Sequence, residues 1–428
     1  MYTWNVVYNK IIEIKRRYEE AFGNVAYDKA GDNTCLDMWI EKLKVKEYAD
    51  IFKYTQLNQK ERMILVRYRN YADVFGVEEN ISSEDFWQMH GGFYQECRSL
   101  VIDVEREIIV LSPFKKFKNL GEGEENQFEV IAEKIKSASV VEITNKLDGS
   151  MQPARFVPEY GRIIMSGSQA IDAAQSWRLE EGYAWLLADK NCVQMLEENP
   201  RYTFVFEYIA LQDAHVVAYK KEQEGLYLVG IRDTQTGRQA PYKEVQETAA
   251  QYGVKCTEVF DKTFAEVMDD VKTKKSNEME GYVLNIDGHL VKVKVDDYVN
   301  IHRILSKISS INLIIQHIAD DSFDDLVAKV PTAYQSRIEN VAKIVFDYIR
   351  DTDQRVKDWY EKCPKESRKD FMIFVDQNVE RDVRPYVRNL YLGEPNNYLK
   401  FGTEKAPRYK KLKEMGIENY ADVFVLAE

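Results

Sequence analysis

Apolar side chains recur at helical spacing through Val6, Ile11, Ile12, Ile14, Tyr18 and Phe22, with lysine, arginine and glutamate between them. That spacing predicts an amphipathic helix over about 5–22. A weaker helical period continues over 37–59, followed by a β-rich run, Met63 to Tyr71, and a capped helical turn from Ser83 to His90. From Glu96 the pattern shortens to strands. Cys97 to Val104 and Glu107 to Leu111 are separated by a charged turn, and the basic, aromatic segment Pro113 to Asn119 follows. Taken alone, that segment is either a solvated loop or part of a polyanion site. A helix near 128–136 leads to Ser139-Val140-Val141-Glu142-Ile143-Thr144-Asn145-Lys146, a β-branched strand ending on a lysine beside an Asp148-Gly149-Ser150 turn. Such a lysine is either a solvated strand terminus or a nucleophile held rigidly at a strand end.

Further strands are predicted at 151–156, 162–166, 203–209 and 225–232, with helices at 173–198, 242–252 and 264–272. Gly281 to Ile286 and Leu290 to Val295, joined by Asp287-Gly288, read as a hairpin. Alternation puts Val291, Val293 and Val295 on one face and Lys292 and Lys294 on the other. Solvent exposure accounts for two lysines on one face, and so does a phosphate held between them. A two-residue turn would set Glu280 opposite Val295, on the valine face, so a site combining Glu280 with the lysines predicts an odd-length loop or a bulge. Beyond Asn300 only helical stripes are legible, at 338–359 and 371–392.

Composition changes this picture little. The chain has 428 residues, 45% hydrophobic and 30% charged, which fits a globular protein of two or three domains. No apolar run approaches the ~18 residues of a membrane span. The five scattered cysteines form no CxxC pair, and the N-terminus lacks a signal-peptide layout; the expectation is a cytoplasmic protein with reduced thiols. A net charge of −12 argues against indiscriminate coating of nucleic acid, so any polyanion site must be a local patch.

Six weak signals then fall in one order: Glu96-Cys97-Arg98, Lys116-Phe117-Lys118-Asn119, Lys146-Leu147-Asp148-Gly149-Ser150, Phe206-Glu207-Tyr208, Glu280-Gly281-Tyr282-Val283 and Val291-Lys292-Val293-Lys294, with Tyr298-Val299 behind. The series resembles the nucleotidyltransferase motifs of ATP-dependent RNA ligases, most closely the phage T4 RNA ligase 1 family. The resemblance spans about 63–300 and continues more faintly through the tail. It implies an α+β fold, with an antiparallel-sheet nucleotidyltransferase domain over 1–300 (1–90 being its helix-rich N-terminal portion) and an all-α C-terminal domain over 301–428 that recognises RNA or tRNA. It also implies ATP and Mg2+ or Mn2+ as cofactors. The substrate would be RNA with 5′-phosphate and 3′-hydroxyl ends, a cleaved tRNA among the candidates, with no membrane partner and an end-healing kinase or phosphatase as a candidate partner in repair.

Residue by residue, the resemblance makes Lys146 the adenylated nucleophile and has Lys292 and Lys294 hold the α-phosphate. Glu280 helps bind the metal, Glu207 contacts the ribose, and Arg98 and Lys116 contact the nucleotide or its phosphates. Asp148 organises the lysine and the RNA ends, Thr144 or Asn145 meets the adenine edge, and Tyr68, or Tyr71, is the nucleotide-contacting tyrosine. The chemistry suits these types: phosphoramidate formation needs a neutral amine, and a free lysine is neutral in only about one molecule in 2,500 at pH 7. Neighbouring cations, whether Lys292, Lys294 or a metal, lower that pKa. One departure stands out, since the family carries a lysine where Ser166 precedes Gly167-Ser168.

The tail separates relatives. DNA ligases and capping enzymes follow this core with a β-rich OB-fold, whereas the T4 RNA ligase 1 family has a helical domain. Asp324 and Asp325 lie where that family has an acidic pair associated with a metal; a solvated helix start is the plainer reading. The cluster Lys400, Lys405, Arg408, Lys410, Lys411 and Lys413 is the candidate RNA contact outside the core, against an ordinary surface helix. The competing readings are a non-catalytic RNA-binding relative and a DNA ligase or capping-type enzyme.

Overall fold

The computed structural model describes residues 2–27, 34–60, 62–69, 83–171, 173–213, 216–299, 311–327, 330, 332–403 and 405–416. The chain divides into two compact units, Met1–Tyr298 and Val299–Glu428.

The first unit carries three antiparallel sheets. Strands β1 (Thr55–Lys60), β2 (Met63–Tyr68), β3 (Arg98–Asp103) and β4 (Ile108–Leu111) pair in sequence order. The first helix, Val6–Phe22, buries Ile11, Ile12, Ile14 and Tyr18 of its predicted stripe, together with Val7, in a cluster with Ile64, Val66 and Leu100, while Phe22 at its end is exposed. Asn5 caps it by accepting the Tyr8 amide at 2.8 Å. The helix expected over 37–59 is corrected: it breaks into Cys35–Leu43 and Lys46–Phe52, and Thr55–Lys60 is β1. Pairing with β2 along all six of its residues outweighs the local helical period there.

The other two sheets form the walls of the candidate site. Strands β5 (Val141–Lys146), β10 (Gly281–Ile286) and β11 (His289–Lys294) make a sheet of order β11-β10-β5. Strands β6 (Ser150–Val157), β7 (Arg162–Met165), β8 (Tyr202–Ile209) and β9 (Gly225–Asp233) make one of order β7-β6-β8-β9. Behind the latter pack helices Trp177–Ala188, Lys190–Glu198 and Tyr242–Tyr252, around Leu179, Met195, Leu196, Phe204, Phe206 and Val245. The single helix expected over 173–198 is two, because the Asp189 side chain accepts the amides of Asn191 and Cys192 and starts a new helix.

The second unit is mainly helical: Ile311–Ala319, Phe323–Val327, Thr332–Lys362, Arg368–Asn378 and Arg384–Leu392. Its expected all-α character is corrected by a hairpin, β12 (Lys400–Thr403) with β13 (Ala406–Tyr409). Gly402, at φ +89°, takes a backbone conformation that helix cannot accommodate. No helix among the described residues is long and apolar enough to cross a membrane.

Candidate active site

Register on the β11-β10-β5 sheet explains why the lysines meet. Gly281 on β10 lies opposite Lys146 on β5 and opposite Lys294 on β11, and Val283 lies opposite Thr144 and Lys292. Side chains opposite one another share a face, so Thr144, Lys146, Lys292 and Lys294 project together. Val291 and Val293 are buried on the other face, as the alternation predicts.

The hairpin turn is a regular two-residue one, with Asp287 at φ +48° and Gly288 at φ +90°, and Val295 donates its amide to the Glu280 carbonyl. The expected bulge is absent, which corrects the prediction, yet Glu280 still reaches the lysine face. Gly281 is the cause. It contributes no side chain to the gap between Lys146 and Lys294, and its φ of +150° turns the preceding residue back over that gap. A Cβ on Gly281 would lie 2.2 Å from the Val293 carbonyl oxygen. The Glu280 carboxylate, 3% exposed, therefore sits between the two ammonium groups, with Oε2 2.6 Å from Lys146 Nζ and Oε1 2.9 Å from Lys294 Nζ. Burial by itself would raise its pKa, but Lys146 and Lys294 hold it below the usual carboxylate range.

These groups open on a cavity of about 300 Å3 between the two sheets. Arg98, Thr144, Lys146, Glu207, Lys292 and Lys294 line its polar side. Val229, Gly230, Val245, Val283 and Leu290 give it an apolar end. Gly149 lets the β5–β6 turn close on β8, since a Cβ there would stand 2.6 Å from the Tyr208 carbonyl oxygen. That closure brings Glu207 to the cavity. Desolvation pushes Glu207 up to about 7; Lys146 opposes the rise and Glu280 adds to it. Lys292 moves the other way. Burial, then the charges of Arg98, Lys146, Lys116 and Lys294, hold it well below the ordinary lysine range.

Asp148 does not line the cavity. Its Oδ2 accepts the amides of Val216 at 2.8 Å and Val217 at 3.2 Å, and its Oδ1 accepts the Tyr298 hydroxyl at 3.0 Å. Its own amide donates to the Tyr219 hydroxyl at 2.8 Å. Lys116 and Tyr68 also lie off this cavity, with the Lys116 ammonium 5.0 Å from the Tyr68 ring and 4.7 Å from that of Trp87. Tyr71 falls outside the described residues. Ser166 is fully buried, and its hydroxyl has no hydrogen-bond partner among the described residues. Asp324 and Asp325 are exposed in the first turn of helix Phe323–Val327 in the second unit. Among the described residues no three His, Cys, Asp or Glu side chains form a ready metal cluster.

Phe117 is the site residue the sequence concealed. Its ring stands 4.5 Å from the Lys292 ammonium and 5.4 Å from the Arg98 guanidinium. Its backbone neighbourhood is fixed to β11, where the Lys292 amide donates to the Lys118 carbonyl and the Leu120 amide donates to the Lys292 carbonyl. The mixture of aromatics and lysines in 113–119 was the available signal. In the second unit the basic cluster is partly neutralised, by Asp320 on Lys400 and by Glu414 on Arg408.

In the first unit antiparallel sheets enclose a lysine-lined cavity, and a mainly helical unit follows along the chain. Residues 96–299 match the family model of RNA ligase, T4 type 1. Among solved structures, an archaeal ATP-dependent RNA ligase in its form 1 is similar at 14% identity and a TM-score of 0.41, over 68% of this chain and 72% of that one. Form 2 gives 13% and 0.41, over 84% and 99%. A Naegleria gruberi RNA ligase mutant solved with ATP and Mn gives 16% and 0.32, over 41% of this chain and 54% of that one.

Proposed function

We propose that this protein is an ATP-dependent RNA ligase that joins 5′-phosphate and 3′-hydroxyl ends through a lysyl-AMP on Lys146 and an RNA-adenylate. The carrying observation is the Lys146–Glu280–Lys294 contact at the mouth of a cavity whose remaining cations, Arg98 and Lys292, face the same space. A ligase must activate a 5′-phosphate whose own oxygen leaves poorly. In this reading the Lys146 amine attacks the α-phosphorus of ATP, forming the N–P bond as the P–O bond to pyrophosphate breaks. The RNA 5′-phosphate then takes AMP from the lysine, and the 3′-hydroxyl displaces AMP to close the phosphodiester.

The chain's residues divide this work by their environment. Lys292 and Lys294 stabilise charge growing on the α-phosphate oxygens. Glu207 hydrogen-bonds the ribose, and the apolar end takes the base beside Thr144. Asp148 is a positioning residue: it ties segment 216–219 and Tyr298 to the turn that follows Lys146. Glu280 is ionised, faces the cavity cations and lies within electrostatic reach of Glu207, which suits a hard divalent cation near two carboxylates. Such an ion, when bound, would supply Lewis-acid stabilisation of the phosphate. The second unit, with Asp324 and Asp325 and its Lys400–Lys413 segment, is assigned to recognition of RNA, in a repair role.

The test is sealing. A 5′-phosphorylated single-stranded RNA incubated with the protein, ATP and Mg2+ is expected to circularise or join, and to do so without ATP when its end is already adenylated. Lys146→Ala should abolish the first reaction and spare the second. Loss of both with Lys146→Ala, in a folded protein, would contradict the assigned role.

A further inference from the structure

A second cavity of about 660 Å3, more than twice the first, adjoins it and shares Phe114, Phe117, Gln239 and Leu290 with it. Its wall combines the 113–119 segment, the Asp287-Gly288 turn and the helix Phe128–Ser137. Five cationic side chains line it, Lys115, Lys116, Lys118, Lys134 and Arg232, against two carboxylates, Glu125 and Asp287. In a chain of net charge −12 this local excess is the opposite of the molecule's average. Part of it is structural. Arg232 is buried in a bidentate pair with Glu96, and Lys118, 6% exposed, lies 2.9 Å from Glu125. Lys115, Lys116 and Lys134 are the cations with reach. The Lys115 side chain is 59% exposed, with its ammonium 3.4 Å from the Glu96 carboxylate that also holds Arg232; Lys116 lies over two aromatic rings; and Lys134 stands 3.4 Å from His289 Nε2 and donates to the Glu125 carbonyl at 3.1 Å.

Phe117 is the partition. The Lys292 ammonium lies 4.5 Å from its ring on the side of the first cavity, so the second begins one ring away from the phosphate-holding lysine. Strand β11 leads from one to the other, with His289 in the second cavity and Lys292 and Lys294 in the first. Lysines interleaved with Phe114 and Phe117 offer what a single strand needs: charge for phosphates and flat faces for unpaired bases. His289, whose pKa is lowered by burial and by Lys134 and Lys118, adds a neutral hydrogen-bonding edge, with Nε2 2.7 Å from the Asn126 side-chain oxygen.

We infer that this second cavity holds the nucleotides of single-stranded RNA next to the end being activated, through phosphate contacts from Lys115, Lys116 and Lys134. The RNA identity rests on the ligase reading; the polyanion site itself rests on the cavity. The rival source of the same chemistry is the triphosphate tail of ATP.

The test uses the full chain and a short fluorescent 5′-phosphorylated single-stranded RNA, with binding read by anisotropy across a salt series, beside labelling of the protein by α-labelled ATP. Lys134→Glu is expected to weaken RNA binding about tenfold at low salt, and to make the salt dependence shallower by about 0.7 in log–log slope for each phosphate contact removed. ATP labelling should stay at the wild-type level. Lys115→Gln, on an exposed side chain, should weaken binding in the same sense by less. Unchanged RNA binding in both variants overturns the inference. So does a parallel loss of ATP labelling with RNA binding intact, which would give the cavity to the triphosphate tail. A wild-type protein that takes no label defeats the ligase reading instead, and the anisotropy still decides the cavity.

Discussion

Two half-buried groups move in opposite directions around one cavity, and each makes a measurable claim. Glu207 sits near 7 in the folded protein against an ordinary value of 4.5. The folded state therefore holds that proton more tightly than the unfolded chain does. The stability it contributes is complete below about pH 4.5 and is lost as pH rises through about 7. Glu207→Gln should thus raise the Tm progressively relative to wild type across that window, by several degrees at pH 8, and melt with wild type at pH 4. A constant Tm difference across pH would contradict the burial assigned to this carboxylate. For Lys292 the expectation concerns binding. An anion placed beside it restores its proton, so nucleotide binding takes up a proton and weakens as pH rises between the free and bound pKa values. Calorimetry of AMP binding across a pH series, in buffers of different ionisation enthalpy, reads this directly, and no proton uptake at any pH would count against Lys292 as the phosphate ligand. Lys292 and Lys294 were legible from sequence because strand alternation fixes a face, and Lys146 through the motif series it belongs to. Phe117 and the Val216–Val217 amides were not, because contacts made across the fold leave no local period.

At the scale of elements, one glycine decides the geometry. Asp287-Gly288 announces a two-residue hairpin, and the same rule places Glu280 on the wrong face, so the sequence predicts an odd-length loop or a bulge. The solution is instead at the far end of the strand, where Gly281 lacks a side chain and adopts φ +150°. Gly281→Ala should cost at least about 2 kcal/mol, from backbone strain and a Cβ driven against the Val293 carbonyl, and should abolish lysine adenylation even where the protein remains folded. Gly288→Ala, with nothing within 4 Å of its Cβ, pays only for a positive φ, and should lower the Tm modestly while keeping activity. Equal losses of activity in the two variants would refute the special role of Gly281. Boundaries failed elsewhere for kindred reasons. Thr55–Lys60 pairs with β2 although its sequence suits a helix, and Gly402 sits in a hairpin within a basic segment whose sequence shows no strand pattern.

At the scale of the whole molecule, the division at Tyr298/Val299 falls two residues from where the strand pattern ends at Asn300 in the sequence. The net charge required that any polyanion site be a local patch, and both cavities of the first unit are lined by several cations in an acidic chain. A fragment covering 1–310 should keep lysine adenylation within a few-fold of the full chain and lose most of its RNA sealing, if recognition of RNA resides in the second unit. Equal sealing by fragment and full chain would remove that assignment.

The central claim is that one amine, Lys146, becomes covalently joined to AMP. Its most direct measurement is intact-protein and peptide mass spectrometry after incubation with ATP and Mg2+. The account predicts one added AMP per chain, carried on the peptide containing Lys146, removed by pyrophosphate, and missing in Lys146→Ala. No adduct on the wild type, or an adduct that persists in Lys146→Ala, would contradict it.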